Sequence, residues 1–372
     1  MSFQPPVDPS RLLEQDPLLE ALHEFQLDTL IQESRNEPLE PLVYIRTIDN
    51  VNRAIQLFKV HNVISLPVFD PAEEKFIAIV NVVHIVKFIM LREVFYKHGV
   101  TLSPDVGVEM VEQIKEELRP IYDLPISDVV AAANVHDNFK MYHKSVPLID
   151  TVRALMLKEN AYAILCSVSD DKEKMLGDIQ HASIITQWDV MTFFIKNEKL
   201  KVHGIGGLPA QKAIQRSWIT FTRKEDPNQP SHRLPVSETR RTFALSITED
   251  MTAFAGFKLL AVHGISSVAV VDRESEPVKL TDNLSASDIK YVSPENIDGY
   301  NLVSEFLHKV SDHPRRVVSC YEETSLEEVT RLAIAAGVHR VWITEKDTEK
   351  PLGVVTMSDM LSMFIGVKGE RD

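Results

Sequence analysis

Apolar residues along this chain follow one short pattern that returns four times. The clearest copy lies between Arg315 and Ile365, where an apolar run is followed by a stretch with helical spacing, two β-rich runs and a second helical stretch. Gly337 follows the first helical stretch, as expected at a helix C-terminus. The pattern therefore predicts the order β-α-β-β-α. The apolar positions of its first helix are Leu326, Val329, Leu332, Ala333 and Ala336.

The same order returns from Arg241 to Val292, from Ile45 to Met90 and from about Leu124 to Lys196. One such unit is too small to bury both faces of its sheet, so the units are expected to stack in pairs. The sequence predicts an α/β protein of four repeats in two tandem pairs. The predicted divisions are an acidic N-terminal segment at 1–40, repeats at 41–96, 120–198, 238–294 and 312–367, and a basic linker at 199–237.

A short polar motif marks the point where the second long strand meets the last helix in three of the repeats. It consists of a hydroxyl residue, two others and an aspartate. The hydroxyl can cap the helix, whose N-terminal N–H groups attract an anion, and the aspartate can accept bonds from a ribose. The sequence therefore predicts nucleotide half-sites at Thr186 and Asp189, Ser285 and Asp288, and Thr356 and Asp359.

Helix capping alone is an equally good explanation for any single copy of this motif, because Ser or Thr followed three residues later by an acid is a common capping box. Three copies at one place in a repeat favour a further role. The first repeat has Asn81-Val82-Val83-His84 at this position and lacks the aspartate.

Composition narrows the classes of partner. The 372 residues carry a formal charge of −14, so nucleic acid and anionic membranes are not expected partners. Two cysteines form neither a disulfide framework nor a metal set, and no spacing of nucleophile, base or metal ligands indicates catalysis. We therefore expect a protein that binds a ligand without a cofactor or metal and is not an enzyme.

Two connecting segments remain open to interpretation. The basic linker is typical of a solvated connector, and the alternative is a contact with phosphate or an acidic partner. The N-terminal segment has an amphipathic stretch around Leu18–Ile31, which is a candidate for a partner-binding helix.

The repeat and its motif resemble the CBS domain, and the four copies resemble the gamma regulatory subunit of the AMP-activated protein kinase family over about Leu42–Gly366. Fold class α/β, with four CBS repeats in two tandem pairs forming a pseudo-symmetric disc, is what this resemblance implies. It also implies that adenine nucleotides (AMP, ADP or ATP) bind between repeats, with riboses on Asp189, Asp288 and Asp359 and phosphates on His339 and Arg340.

The chain departs from the family at several of these positions. Ile64-Ser65, Tyr162-Ala163 and Ser266-Ser267 stand where the family places basic residues, which indicates a divergent relative. The resemblance further implies an energy sensor that regulates a protein kinase through catalytic and scaffold subunits, in the cytoplasm and also the nucleus, with a homodimer as one assembly. The alternative is a CBS scaffold that regulates a kinase or phosphatase without nucleotide.

Overall fold

Four small sheets, each with its own helices, make up the fold. The computed structural model describes residues 22–34, 41–97, 108–136, 139–157, 163–169, 171, 175–197, 210, 218–221, 244–293, 298–310 and 317–364. Three of the sheets have three strands and one has four.

The first two repeats follow the predicted order. Repeat one comprises β1 (Ile45–Arg46), α2 (Val51–Val60), β2 (Ser65–Asp70), β3 (Lys75–Asn81) and α3 (Val82–Met90). Repeat two comprises β4 (Met141–His143), α7 (Leu148–Leu157), β5 (Ala163–Ser167), β6 (Ala182–Thr186) and α8 (Gln187–Lys196). Helices outside these repeats are α1 (Leu27–Ser34), α4 (Val94–Lys97), α5 (Val108–Tyr122) and α6 (Ile126–Ala133).

The last two repeats also follow this order, but repeat three closes with a 3₁₀-helix and its sheet contains one additional strand. Repeat three comprises β8 (Ala244–Thr248), α9 (Ala253–His263), β9 (Ser267–Asp272), β10 (Lys279–Ser285) and a closing 3₁₀-helix (Ala286–Tyr291) where the repeat pattern predicts an α-helix. Strand β7 (Trp218–Phe221), which precedes this repeat, pairs in parallel with β8. After the 3₁₀-helix Asp298–Tyr300 and α10 (Val303–Val310), repeat four comprises β11 (Ser319–Cys320), α11 (Leu326–Ala336), β12 (Arg340–Thr344), β13 (Pro351–Thr356) and α12 (Met357–Phe364).

The strands of all four repeats pair in the same way. In every repeat the first strand runs parallel to the middle strand, which pairs with the last strand in an antiparallel hairpin. The middle strands are mostly buried and apolar, as expected for strands covered on both faces. In every repeat the first residue of the middle strand pairs with the last residue of the final strand. These pairs are Ser65 with Asn81, Ala163 with Thr186, Ser267 with Ser285, and Arg340 with Thr356.

Sheets join the repeats of a tandem pair, and helices join the two pairs. Phe76 of repeat one packs with Leu165 of repeat two, and Val271 of repeat three packs with Trp342 of repeat four. Two larger cores lie between helices, one shared by repeats one and three and one shared by repeats two and four. The predicted α/β fold of four repeats in two tandem pairs is confirmed.

Within each tandem pair, the segment that precedes one repeat forms a backbone hydrogen bond with the other repeat. In each repeat, one backbone N–H from a neighbouring segment reaches the carbonyl two residues before the first long helix. Repeat one is completed by the segment that precedes repeat two, and repeat two by the segment that precedes repeat one. The donor–acceptor pairs are Ile126 to Asp49 (2.7 Å), Leu27 to Val146 (2.9 Å), Val303 to Met251 (2.7 Å) and Ala210 to Thr324 (2.8 Å).

The N-terminal helix is therefore part of the fold. Its apolar residues Leu27, Leu30 and Ile31 lie in the core of repeats two and four, and Phe25 packs edge-on against Phe193 of α8 with ring centroids 5.6 Å apart. Repeat two covers this apolar face of the helix that is the candidate for partner binding. Residues 1–21 and most of the basic linker lie outside the described residues.

Candidate functional site

The three hydroxyl–aspartate motifs form capping boxes at the starts of the closing helices. Oδ2 of Asp189 accepts from the Thr186 backbone N–H and from the Thr186 hydroxyl, both at 2.7 Å. Asp359 and Thr356 repeat this arrangement at 2.8 and 2.6 Å. The capping function predicted for the hydroxyl is thus present, and it fixes each carboxylate beside the first turn of its helix.

The third motif differs in its hydroxyl. Oδ2 of Asp288 accepts from the Ser285 backbone N–H at 2.8 Å, whereas the Ser285 hydroxyl donates to the carbonyl of Ser266 at 3.4 Å. Asp288 is buried, with 3% of its surface exposed, and it lies in the first turn of a 3₁₀-helix. This carboxylate lies in a more enclosed position than those of the half-buried Asp189 and Asp359.

The first repeat keeps the capping box and changes its chemistry. Asn81 Oδ1 accepts from the His84 backbone N–H at 3.1 Å, and Nδ1 of His84 accepts from the Asn81 backbone N–H at 3.3 Å. Burial, assisted by the charge of Lys87, lowers the pKa of His84 to about 4. A neutral imidazole therefore stands where the other repeats place a carboxylate.

Arg340 connects the fourth repeat to the third. Its Nη1 donates to Ser285 Oγ at 3.1 Å and its Nη2 donates to Ser266 Oγ at 3.3 Å. Arg340 is the first residue of β12, and the shared register places Ser267 at the matching point of β9. The fork of a guanidinium suits two acceptors, here hydroxyls and in a ligand complex the oxygens of a phosphate.

His339 lies against the second repeat. Its ring packs edge-on to Trp188, with ring centroids 5.8 Å apart. Burial and the neighbouring Arg340 charge lower the pKa of His339 to about 4, so the imidazole is neutral near pH 7. Of the predicted His-Arg pair, only Arg340 carries a positive charge at that pH.

Two residues that the sequence argument passed over connect the motifs of repeats two and four. Gln187 Nε2 donates to Ser358 Oγ at 2.9 Å, and both residues lie between the hydroxyl and the aspartate of their motifs. Gln187 is a buried polar side chain on an otherwise apolar helix face. A glutamine at such a position needs a hydrogen-bond partner, and this was the sequence feature that could have indicated the contact.

The structure brings some of the predicted residues together across repeats, whereas the side-chain bonds described above for Asp189 and Asp359 stay within their own motifs. The border of repeats three and four contains Ser285, Asp288 and Arg340. His339, which precedes Arg340, contacts Trp188 of repeat two. Within the described part of the chain, no group of three or more His, Cys, Asp or Glu residues is arranged to hold a metal ion. None of the helices described there is both long and apolar enough to cross a membrane.

Comparison with known proteins agrees with this arrangement. The CBS domain family model matches residues 310–366. The gamma-1-like regulatory subunit of SNF1-related protein kinase from Arabidopsis thaliana is 24% identical over 147 residues, which cover 36% of this chain and 32% of the relative. The gamma-like subunit PV42a of the same kinase and organism is 35% identical over 85 residues, or 22% of this chain and 24% of that relative. These matches span about a third or less of the relatives' own lengths.

A solved structure matches more of the chain. A protein of Methanocaldococcus jannaschii, described as a proposed archaeal homologue of the AMP-activated protein kinase gamma subunit, aligns with a TM-score of 0.58 and 13% identity. The alignment covers 90% of this chain and 99% of the archaeal one. The chain therefore shares the fold of this archaeal protein, matches the CBS domain family at residues 310–366, and is similar over part of its length to gamma regulatory subunits of SNF1-related protein kinase.

Proposed function

We propose that the protein is a non-catalytic regulatory subunit that binds AMP, ADP or ATP between its CBS repeats. The observation that carries this proposal is the bond from Arg340 of repeat four to Ser285 of repeat three, beside the Asp288 carboxylate. A guanidinium for phosphate and a carboxylate for ribose hydroxyls are the two groups that a nucleotide needs from its site.

Nucleotides with different numbers of phosphates compete for this position. A ligand that contacts two repeats can shift the equilibrium between two arrangements of those repeats. The size of the shift is set by the difference in the ligand's affinity for the two arrangements. The named relatives are kinase regulatory subunits, so we place the readout in a protein kinase complex with catalytic and scaffold subunits. The proposed location is the cytoplasm, together with the nucleus.

Calorimetric titration with AMP, ADP and ATP tests the nucleotide proposal. The parent protein should bind at least one of them saturably at micromolar concentration, and Asp359→Ala should weaken the binding. Asp347→Ala is the matched control because Asp347 is an exposed carboxylate in the same repeat, in the turn between β12 and β13. A folded parent protein that binds none of the three nucleotides would overturn the proposal.

Two observations favour a second candidate, a scaffold that binds protein partners without nucleotide. His84 replaces the carboxylate in repeat one, and all three aspartates already accept the bonds of a helix cap. Co-purification with a kinase complex that is insensitive to AMP, ADP and ATP would select the scaffold.

A further inference from the structure

Lys87 is the one residue of helix α3 that is not buried. The other eight residues of Val82–Met90 are buried, and all of them except His84 belong to the apolar core that repeats one and three share. Lys87 is half-buried, and in the part of the chain that the structure describes its ammonium group makes no hydrogen bond or ion pair. A partly desolvated cation costs free energy unless an anion or an acceptor compensates it.

The ammonium group lies against a turn of repeat three. Nζ of Lys87 is 3.1 Å from the position that a Cβ atom of Gly264 would occupy. Gly264 ends helix α9 in the left-handed conformation, with φ of 64°. Two residues later, Ser266 Oγ accepts from Nη2 of Arg340 at 3.3 Å. Cations from repeats one and four therefore approach the same short turn, Gly264–Ser267.

A lysine on the closing helix of repeat three has the side-chain partner that Lys87 lacks. Lys290 Nζ donates to Oδ1 of Asn62 at 2.9 Å and lies 5.4 Å from the ring centroid of Tyr291. Asn62 follows helix α2 after His61, as Gly264 follows His263 at the end of α9. An asparagine acceptor thus meets one lysine, whereas glycine meets the other with no side chain.

We propose that Lys87 and Arg340 together bind the phosphate groups of the nucleotide over the Gly264–Ser267 turn. This inference rests on the proposed nucleotide function and adds the residue by which repeat one takes part. Repeat one then contributes a cation to phosphate in place of the ribose carboxylate that His84 has replaced. Both cations donate charge-assisted bonds to phosphate oxygens, and they form a local positive site on a chain of net charge −14.

Nucleotides that differ only in phosphate test this assignment. Calorimetric titrations with adenosine, AMP and ATP compare the parent with Lys87→Gln, Lys87→Arg and Lys75→Gln. Loss of one charge-assisted contact should weaken AMP and ATP binding about 10-fold in Lys87→Gln and leave adenosine binding unchanged. Lys87→Arg should keep most of the affinity because it keeps the charge.

Lys75→Gln is the matched control. It removes the same charge from the opposite end of β3, where Lys75 pairs with Glu73 at 2.6 Å, and should bind all three ligands like the parent. Thermal unfolding confirms that each variant is folded. Parent-like AMP affinity in folded Lys87→Gln would overturn the role of Lys87 and leave the nucleotide proposal standing. A parent protein that binds neither AMP nor ATP would overturn both.

Discussion

Nη1 of Arg340 donates to Ser285 Oγ at 3.1 Å, across the border between the fourth repeat and the third. The same Ser285 is held by Asp288, which accepts from its backbone N–H at 2.8 Å. The cation of one repeat and the carboxylate of its partner are therefore separated by a single serine. A phosphate and a ribose of one nucleotide are joined by a comparably short linkage, which is why this border is the centre of the proposed site.

Arg340→Ala should lower AMP affinity about 10- to 100-fold, since hydrogen bonds to charged groups contribute about 1.5–3 kcal/mol. Calorimetry provides the measurement. Arg331→Ala is the control, because Arg331 belongs to an exposed pair with Glu327 at 2.7 Å and such pairs contribute little. Equal AMP affinity in folded Arg340→Ala and Arg331→Ala would exclude Arg340 from the site.

Asp359→Asn separates helix capping from ribose binding. The amide oxygen of asparagine can still accept from the Thr356 N–H and hydroxyl, so the free energy of unfolding should fall by less than about 1 kcal/mol. The lost carboxylate charge weakens the bonds to ribose hydroxyls, and AMP affinity should fall about 10-fold. Urea unfolding and calorimetry on the same samples give both values. A large loss of stability with unchanged affinity would mean that the aspartate serves the cap alone.

The apolar periodicity of the sequence was sufficient to predict the repeats, but it did not predict the contacts through which they assemble. Helix α2, from Val51 to Val60, lies within the first predicted repeat, because its N-cap and its apolar spacing are local features. The backbone hydrogen bond from Leu27 to Val146 joins residues far apart in sequence, and periodicity carries no information on such contacts. The 3₁₀-helix after Ser285 was likewise missed, since it has the same capping box as the α-helices of repeats two and four.

In the candidate site, too, the sequence predicted the local features and did not predict the contacts between repeats. The motif placed the three aspartates beside helix starts, because spacing within a capping box is local. The approach of Lys87 to Gly264 depends on the packing of repeat one against repeat three. The only sequence signal was a lysine in an otherwise apolar helix, which the repeat pattern does not distinguish from a surface residue.

Stability should fall in mild acid because two histidines are held neutral by burial. The folded-state pKa of His84 and of His339 is lowered from 6.5 to about 4. Protonation is therefore favoured in the unfolded chain, and the contribution to stability that is present above pH 6.5 is lost as the pH falls toward 4. Each residue contributes up to about 3 kcal/mol over that window. Urea unfolding at pH 7 and pH 5 measures the loss.

His84→Asn provides the matched test of this pH dependence. An asparagine does not titrate, so the difference in the free energy of unfolding between pH 7 and pH 5 should be smaller than in the parent. Asparagine can also keep an acceptor near the Asn81 backbone N–H, which preserves part of the cap. An unchanged pH difference would show that His84 does not contribute to the acid sensitivity.

Leu27→Ala should destabilise the protein although Leu27 lies outside all four repeats. Its side chain is 0% exposed in the core of repeats two and four, and its backbone N–H bonds to Val146. Removing a buried leucine side chain costs about 2–5 kcal/mol, because both the transfer free energy and the packing around the cavity are lost. Urea unfolding should show this decrease, whereas Ile48→Ala, at a side chain that is 65% exposed, should change stability by less than about 0.5 kcal/mol. Similar small effects in both variants would mean that the N-terminal helix leaves repeat two in solution, and its apolar face would then be available to a partner after all.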